Sequence, residues 1–218
     1  MKKHFVLLTI FAILQVESLY AQFNLYTEYQ GIHDDNIFNN NQQISDFINS
    51  FSLGSAYNIE SEFNNLQFYY EGSWNYFKTT TSKSFNSHRI GLVETHLFAE
   101  DDNPLNAGIN YSFRNNKDEF EVYNFSQISA YVNYRHSISE TDFIIPGYVF
   151  NRNDYKNFTL FSHNEHKLFL TWISNFETKT SLTLNAEYNL KQYFEEYNFE
   201  GYLNQASQLK FLLNIGQS

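Results

Sequence analysis

The chain has 218 residues, enough for one domain or two small ones, and its 14 Lys and Arg against 24 Asp and Glu leave a net charge of −10. Aromatic residues make up 19% of the chain and Cys is absent, which argues against disorder and excludes disulfide scaffolds, thiolate metal sites and Cys nucleophiles. The acidic balance argues against nucleic acid as a partner, because a general nucleic-acid binder needs basic surface to displace phosphate counterions.

The first segment has the residue order of a cleavable secretory signal peptide. A short basic start over residues 1–4 precedes an apolar run over residues 5–14, and the small residue Ala21 stands just before Gln22. The apolar run is too short to span a bilayer, which takes ~20 residues. We therefore predict a signal peptide over residues 1–21 and a β-barrel domain over residues 22–218; a buried N-terminal strand is the alternative for the first segment. Without Cys after the predicted cut, a lipoprotein route is excluded.

The rest of the chain alternates between apolar and polar residues with a period of two. Successive side chains of a strand point to opposite faces, so this pattern predicts strands with one apolar and one polar face. In the plainest example, Leu66, Phe68 and Tyr70 share one face while Gln67 and Glu71 share the other. In chain order we predict about ten strands, near residues 23–33, 47–58, 66–76, 88–99, 109–114, 127–135, 142–150, 160–174, 182–191 and 208–215.

The predicted connections alternate in length. Long polar connections are expected over residues 34–46, 78–87, 115–123 and 192–201, and tight turns over residues 59–62, 100–104, 139–141 and 177–180. Long connections at one end and short turns at the other are the layout of an outer-membrane barrel. The connection near residues 151–157 is shorter than its place in this alternation requires.

Three features favour apolar faces that point outward to lipid. Large charged groups stand in mid-strand on the polar face, aromatic residues crowd the strand ends, and an export signal without Cys fits an outer-membrane route. The mid-strand charges are Glu71, Arg135, Glu187 and Lys191. The alternative is a soluble exported β-barrel that hides its apolar face and binds a small apolar ligand there.

A short motif then resembles a known family. Gly31-Ile32-His33-Asp34-Asp35-Asn36-Ile37-Phe38 resembles the "(Y)DDNIF" opening of outer-membrane β-barrel (porin-like) proteins of Gram-negative bacteria. The end of the signal, Tyr20-Ala21-Gln22, and the Asn- and Tyr-rich composition are similar to such proteins from the Bacteroidota.

The resemblance implies a closed antiparallel transmembrane β-barrel of about ten strands in the cell outer membrane. It implies outer-membrane lipid and the barrel-assembly machinery as partners, and a porin-like, small-channel or structural role. Such barrels usually end on an aromatic residue, whereas this chain ends with residues 212–218, Leu-Leu-Asn-Ile-Gly-Gln-Ser. Either that signal is atypical here, or the chain is the N-terminal part of a larger barrel.

No catalytic, cofactor or metal residues are predicted, and we do not expect an enzyme. His33-Asp34-Asp35-Asn36 is similar to the His-Asp-Ser-Asn of outer-membrane phospholipases, but Asp35 stands where the Ser nucleophile is needed, which argues against a lipid hydrolase. Two acidic clusters are present: the first comprises Asp34, Asp35, Asn36 and Asp46, and the second comprises Glu100, Asp101, Asp102 and Asn103. We interpret both as solvated loops, because neither has the regular spacing of a calcium loop.

The histidines do not form a metal-binding pattern. His163 and His166 are three residues apart, which on one strand places them on opposite faces. His96 and His136 fall within predicted strands and are interpreted as ordinary interior or interface groups.

Overall fold

The computed structural model describes residues 20–41, 43–98, 101–194 and 204–217. They form one antiparallel sheet of eleven strands, in which each long strand pairs with the next one along the chain. The strands are β1 (Tyr20–Asp34), β2 (Asp46–Glu60), β3 (Asn64–Phe77), β4 (Phe85–Phe98), β5 (Asp101–Asn116), β6 (Phe125–Tyr134), β7 (His136–Ser137), β8 (Asp142–Tyr155), β9 (His163–Asn175), β10 (Thr180–Tyr193) and β11 (Gln205–Gln217).

All ten predicted strands are present, and the two-residue strand β7 is added beside β8. The predicted signal, residues 1–21, lies mostly outside the described residues, and β1 already includes its last two positions, Tyr20 and Ala21. No helix within the described residues is long and apolar enough to cross a membrane.

Two predicted connections were placed wrongly. The connection expected over residues 151–157 lies later, because β8 continues to Tyr155 and the chain then turns over residues 156–162. Asn153 looks like a loop residue in the sequence, but it pairs with His163 of β9 and accepts a hydrogen bond from Gln127. The turn expected over residues 100–104 does not extend that far along the chain, since β5 begins at Asp101.

Both prolines lie in strands, at places where the pairing is irregular. Pro104 is opposite Leu97, next to a shift in register. Pro146 pairs with Leu170 of β9 on one edge of β8. On the other edge, Pro146 lies between the residues that pair with β6 and those that pair with β7. A residue without an N–H is tolerated where no ladder hydrogen bond is required on that side.

The pairing register carries the two faces from strand to strand. Tyr70, Ile90 and Tyr111 are directly opposite one another in turn, and so are Glu71, Arg89 and Ser112 one row away. Directly opposite residues share a face of the sheet. The apolar face and the polar face predicted from each strand are therefore continuous across the sheet.

The sheet curls with its polar face inside. Tyr26 of β1 and Asn153 of β8 line the same cavity of about 650 Å³. In a flat sheet these two strands would lie about 29 Å apart, six spacings of ~4.8 Å. A cavity of this size cannot reach across that distance unless the strands bend around it. We call the two sides the concave polar face and the convex apolar face.

The described residues bury almost no apolar side chain. Ile37 and Phe77 are the apolar residues among them that reach burial, at 6% and 7% exposed. The side chains of the convex face are instead open, with Ile90 at 61% and Phe211 at 71%. The sheet is not closed within the described residues, because β1 pairs only with β2 and β11 only with β10.

Candidate functional site: the concave polar face

A row of polar side chains crosses the middle of the concave polar face. Arg89 Nη1 donates to Glu71 Oε2 at 3.3 Å across β3 and β4. Further along the same row, Ser112 Oγ and Gln127 Oε1 are 3.5 Å apart, Gln127 Nε2 donates to Asn153 Oδ1 at 2.8 Å, and Asn153 Nδ2 lies 3.3 Å from His163 Nε2. Polar groups on adjacent strands thus satisfy one another around the curve.

Shorter chains of hydrogen bonds repeat this arrangement nearer the short-turn end. Thr95 Oγ1 donates to Asn106 Oδ1 at 2.8 Å, and Asn106 Nδ2 donates to Asn133 Oδ1 at 3.1 Å. On the later strands, Asn185 Nδ2 donates to Thr171 Oγ1 at 3.1 Å. Each pair joins two neighbouring strands, and the partners depend on the register between those strands. The sequence pattern alone therefore could not identify them.

Two of the four mid-strand charges predicted for the polar face form ion pairs there. Glu71 pairs with Arg89, and Lys191 Nζ lies 3.8 Å from Glu165 Oε1. Glu187 is directly opposite Lys210 of β11. Arg135, which follows β6, stacks its guanidinium 3.8 Å from the ring centroid of Phe143.

Aromatic rings cover glycines on the concave polar face. In each pair the ring belongs to the residue directly opposite the glycine on the neighbouring strand, and a Cβ added to the glycine would overlap that ring. These contacts need the pairing register, so sequence reasoning missed them. The four pairs are Tyr26 over Gly54, Tyr69 over Gly91, Tyr131 over Gly108 and Phe169 over Gly147.

Arg114 occupies the long-connection end of the concave polar face. Its Cζ lies 3.7 Å from the ring centroid of Phe85, and its Nε donates to Asn116 Oδ1 at 3.0 Å. The side chain lines the 650 Å³ cavity, a second cavity of about 740 Å³ at the strand ends and a third of about 350 Å³ among the connections. Arg114 therefore stands where these three spaces meet.

The long connections pack against one another. Phe38 of the first stacks on Phe120 of the third with ring centroids 6.2 Å apart, and Lys83 Nζ of the second lies 4.6 Å from the Phe38 centroid. Ser82 Oγ donates to Glu119 Oε1 at 2.9 Å. These contacts form a folded layer over β2 to β5.

Asp46 ties the first two long connections together. Its carboxylate accepts hydrogen bonds from the backbone N–H groups of Phe47, Thr79 and Thr80 at 2.7 to 3.2 Å. Burial alone would raise the pKa of this carboxyl, but the hydrogen bonds from Thr80, Thr79 and Phe47 outweigh it and lower the pKa to about 2.

The described residues of the motif and of the two acidic clusters do not assemble into a metal centre. Asp34 Oδ1 accepts from the backbone N–H of Asn36 at 2.9 Å, while Asp46 is bound as described. Asn103 Oδ1 accepts from the backbone N–H of Ser137, and the side chains of the neighbouring acidic residues 100–102 lie outside the described part. Within the described ranges, no three His, Asp or Glu side chains are placed to share a metal ion.

The two histidines of β9 lie on opposite faces, as predicted. His163 is on the concave polar face and contacts Asn153, whereas His166 is on the convex apolar face with its Nδ1 2.7 Å from the hydroxyl of Tyr148. His96 Nδ1 lies 2.7 Å from Asn64 Oδ1 at the short-turn end.

No protein-family model, curated protein or solved structure matches this chain.

Proposed function

We propose that this chain is an outer-membrane β-barrel protein with a small-channel, porin-like role, closed by pairing of β1 with β11. The observation that carries the proposal is the inversion of the usual protein interior. Apolar side chains stand open on the convex face while hydrogen-bonded polar side chains fill the concave one. Exposing an apolar face to water is unfavourable, whereas a bilayer covers such a face with lipid.

The convex face has the height of a membrane band. His88 and Phe98 lie on β4, ten residues apart and each among other rings, with Trp74 and Phe113 beside His88 and Tyr134 beside Phe98. Ten residues span about 34 Å along a strand, and a tilt of about 45° reduces this to about 24 Å, close to the ~25 Å apolar band of such barrels. Glu94 also lies on this face, one residue from the middle of this span, where a carboxylate facing lipid carries a cost, although a smaller one than Arg or Lys would.

Polar rings at the long-connection end fit a membrane interface. Tyr70 Oη lies 2.8 Å from His88 Nδ1, and Tyr148 Oη lies 2.7 Å from His166 Nδ1. Each histidine is the fourth residue of its strand, so the two pairs lie at similar depths. Rings with a polar handle favour the boundary between apolar and aqueous layers.

A bilayer requires the outer edges of the sheet to be paired. The outer edges of β1 and β11 would leave unpaired backbone groups in hydrocarbon, which only closure or further strands can satisfy. β1 leads away from the short-turn end and β11 returns to it, so pairing of the two edges would be antiparallel. On the concave face they carry opposite charges, Glu28 and Lys210.

The polar concave face also runs against the soluble alternative. A soluble barrel that binds a small apolar ligand needs an apolar interior. A barrel of about ten strands is largely filled by side chains, and the side chains here leave about 650 Å³. We therefore favour a small channel over a wide diffusion pore.

Fractionation of expressing cells tests the proposal. We expect the protein in the outer-membrane fraction, extractable only with detergent, and with a mobility on SDS gels that changes when the sample is boiled. Recovery of the bulk of the folded protein from periplasm or medium without detergent would contradict it.

A further inference from the structure

We propose that Arg114 forms an oxyanion-binding position at the entrance of the channel, which takes small anions bearing a carboxylate, sulfate or phosphate group. This inference rests on the proposed function. Its basis is a guanidinium that stands at the junction of three cavities and has no acidic partner.

Arg114 is not neutralised by a carboxylate within the described residues. The ion pairs there join Arg89 to Glu71, Arg152 to Asp154 and Lys191 to Glu165. The residues directly opposite Arg114 are neutral, Ser87 on β4 and Phe125 on β6. The positive charge is therefore available to a ligand in the adjoining cavities.

The guanidinium is held in one orientation. Phe85 covers its plane at 3.7 Å from Cζ to the ring centroid, and Asn116 accepts the hydrogen bond from Nε. Within the described part of the chain, the two Nη groups of Arg114 have no hydrogen-bond acceptor. They are therefore free to donate two parallel hydrogen bonds to an oxyanion.

Hydroxyl donors and a second arginine continue the path inward. Ser73 and Ser87, 2.8 Å apart through their Oγ atoms, line the same cavity as Arg114, as do Ser52 and Ser112. Arg89 lies one step deeper, opposite Ser112. Its pair with Glu71 is about half exposed, at 51% and 47% of the two side chains, so Arg89 stays open to solvent and to a passing anion.

The rim carries a further cation. Lys156 lines the 740 Å³ cavity together with Arg114. Asp154 lies at the same rim, but its carboxylate accepts from Arg152 Nε at 3.0 Å and Nη2 at 3.3 Å. Among the charged side chains that line this cavity, Arg114 and Lys156 thus outnumber the paired Asp154, although the whole chain has a net charge of −10.

The test combines channel selectivity with anion binding. In planar bilayers under a KCl gradient, the unaltered protein should favour Cl⁻ over K⁺, and Arg114→Gln should lower that permeability ratio roughly fivefold, the size expected from one charge near a narrow path. Arg114→Lys should keep most of the selectivity. Lys179→Gln is the control, because it removes one positive charge in the tight turn between β9 and β10, at the opposite end of the sheet, and should leave the ratio unchanged.

Calorimetric titration of the detergent-folded protein with inorganic phosphate tests the site apart from conduction. We expect binding that Arg114→Gln abolishes, that Arg114→Lys weakens about tenfold through loss of the paired donors, and that Lys179→Gln preserves. Boiled and unboiled gel mobility establishes that each variant is folded.

The outcomes separate the two proposals. Arg114-dependent phosphate binding without conductance would overturn the channel but support the anion position. Conductance whose selectivity and phosphate response are the same in Arg114→Gln and Lys179→Gln would overturn the anion position and leave the channel.

Discussion

Tyr131 of β6 lies over Gly108 of β5, its direct partner across the strands, and leaves no room for a side chain at position 108. Both residues are on the concave polar face. The same relationship recurs at three other pairs on this face. Glycine kinks help a sheet to curve, so we attribute part of the curl to these positions.

Gly108→Ala should destabilise the protein by about 1–3 kcal/mol, because the new methyl group displaces the Tyr131 ring. Urea unfolding in lipid vesicles, followed by tryptophan fluorescence, measures the change. Gly216→Ala is the control, since the group nearest to its Cβ is the movable Ser181 hydroxyl. In a Tyr131→Ala background the cost of Gly108→Ala should vanish; an equal cost in both backgrounds would show that the ring is not responsible.

Asp46 should make the fold sensitive to acid. Its folded pKa of about 2 lies below the ordinary value of 3.8, so its contribution to the free energy of unfolding is complete above about pH 3.8 and is lost as the pH falls through 2. Asp46 is the first residue of β2, at the long-connection end and beyond the ~9–11 residues that a spanning strand needs.

The measurement is protease cleavage of the connection over residues 78–84 as a function of pH. Asp46→Asn should expose this connection at neutral pH and remove the acid transition seen in the unaltered protein. Thr79→Ala keeps the backbone N–H that Asp46 binds, so it should behave like the unaltered protein. Identical cleavage profiles for all three proteins would contradict this role.

Glu71→Gln should change selectivity more than stability. The Glu71–Arg89 pair is about half exposed, so its loss should cost less than about 1 kcal/mol. The charge of Arg89 then lacks its partner on the concave face, and the Cl⁻ over K⁺ permeability ratio should rise. Glu94→Gln, the same substitution on the convex face of β4, should leave the ratio unchanged. Equal effects of the two variants on the permeability ratio would contradict the assignment of the concave face to water and the convex face to lipid.

Closure between β1 and β11 can be tested by disulfide formation, because the chain has no Cys of its own. Leu25→Cys should form an intramolecular disulfide with a Cys at Phe211, Leu213 or Ile215, all on the convex face, since paired strands bring their Cα atoms within the ~4.4–6.8 Å that a disulfide needs. Tyr26→Cys, which points to the other face, should not react with the same positions. Disulfides only between two molecules would contradict closure within one chain.

The sequence predicted the number, type and faces of the strands because a period of two is strong over whole strands such as β3 and β10. The sequence prediction misplaced the start of β5 and the end of β8. Pro104 and Asn153 are residue types common in turns, but here they lie in paired strands. Residue preference acts locally, whereas pairing of the neighbouring strand decides where a strand ends.

The site was harder to predict for the same reason. Glu71 was recognised as a mid-strand charge, but its partner Arg89 and the stacking of Arg114 on Phe85 depend on register between strands. The glycines covered by rings carry no signal of their own in the sequence, since Gly108 and Tyr131 are 23 residues apart and meet only in the ladder.

Single Cys substitutions at Ile109, Asn110, Tyr111 and Ser112 test the central claim most directly, with each protein folded into vesicles and labelled with a fluorophore. If the convex face meets lipid, brominated lipid tails should quench the label at positions 109 and 111, and a water-soluble quencher should reach it at positions 110 and 112. Quenching in the opposite phase, or no difference between alternate positions, would contradict the account.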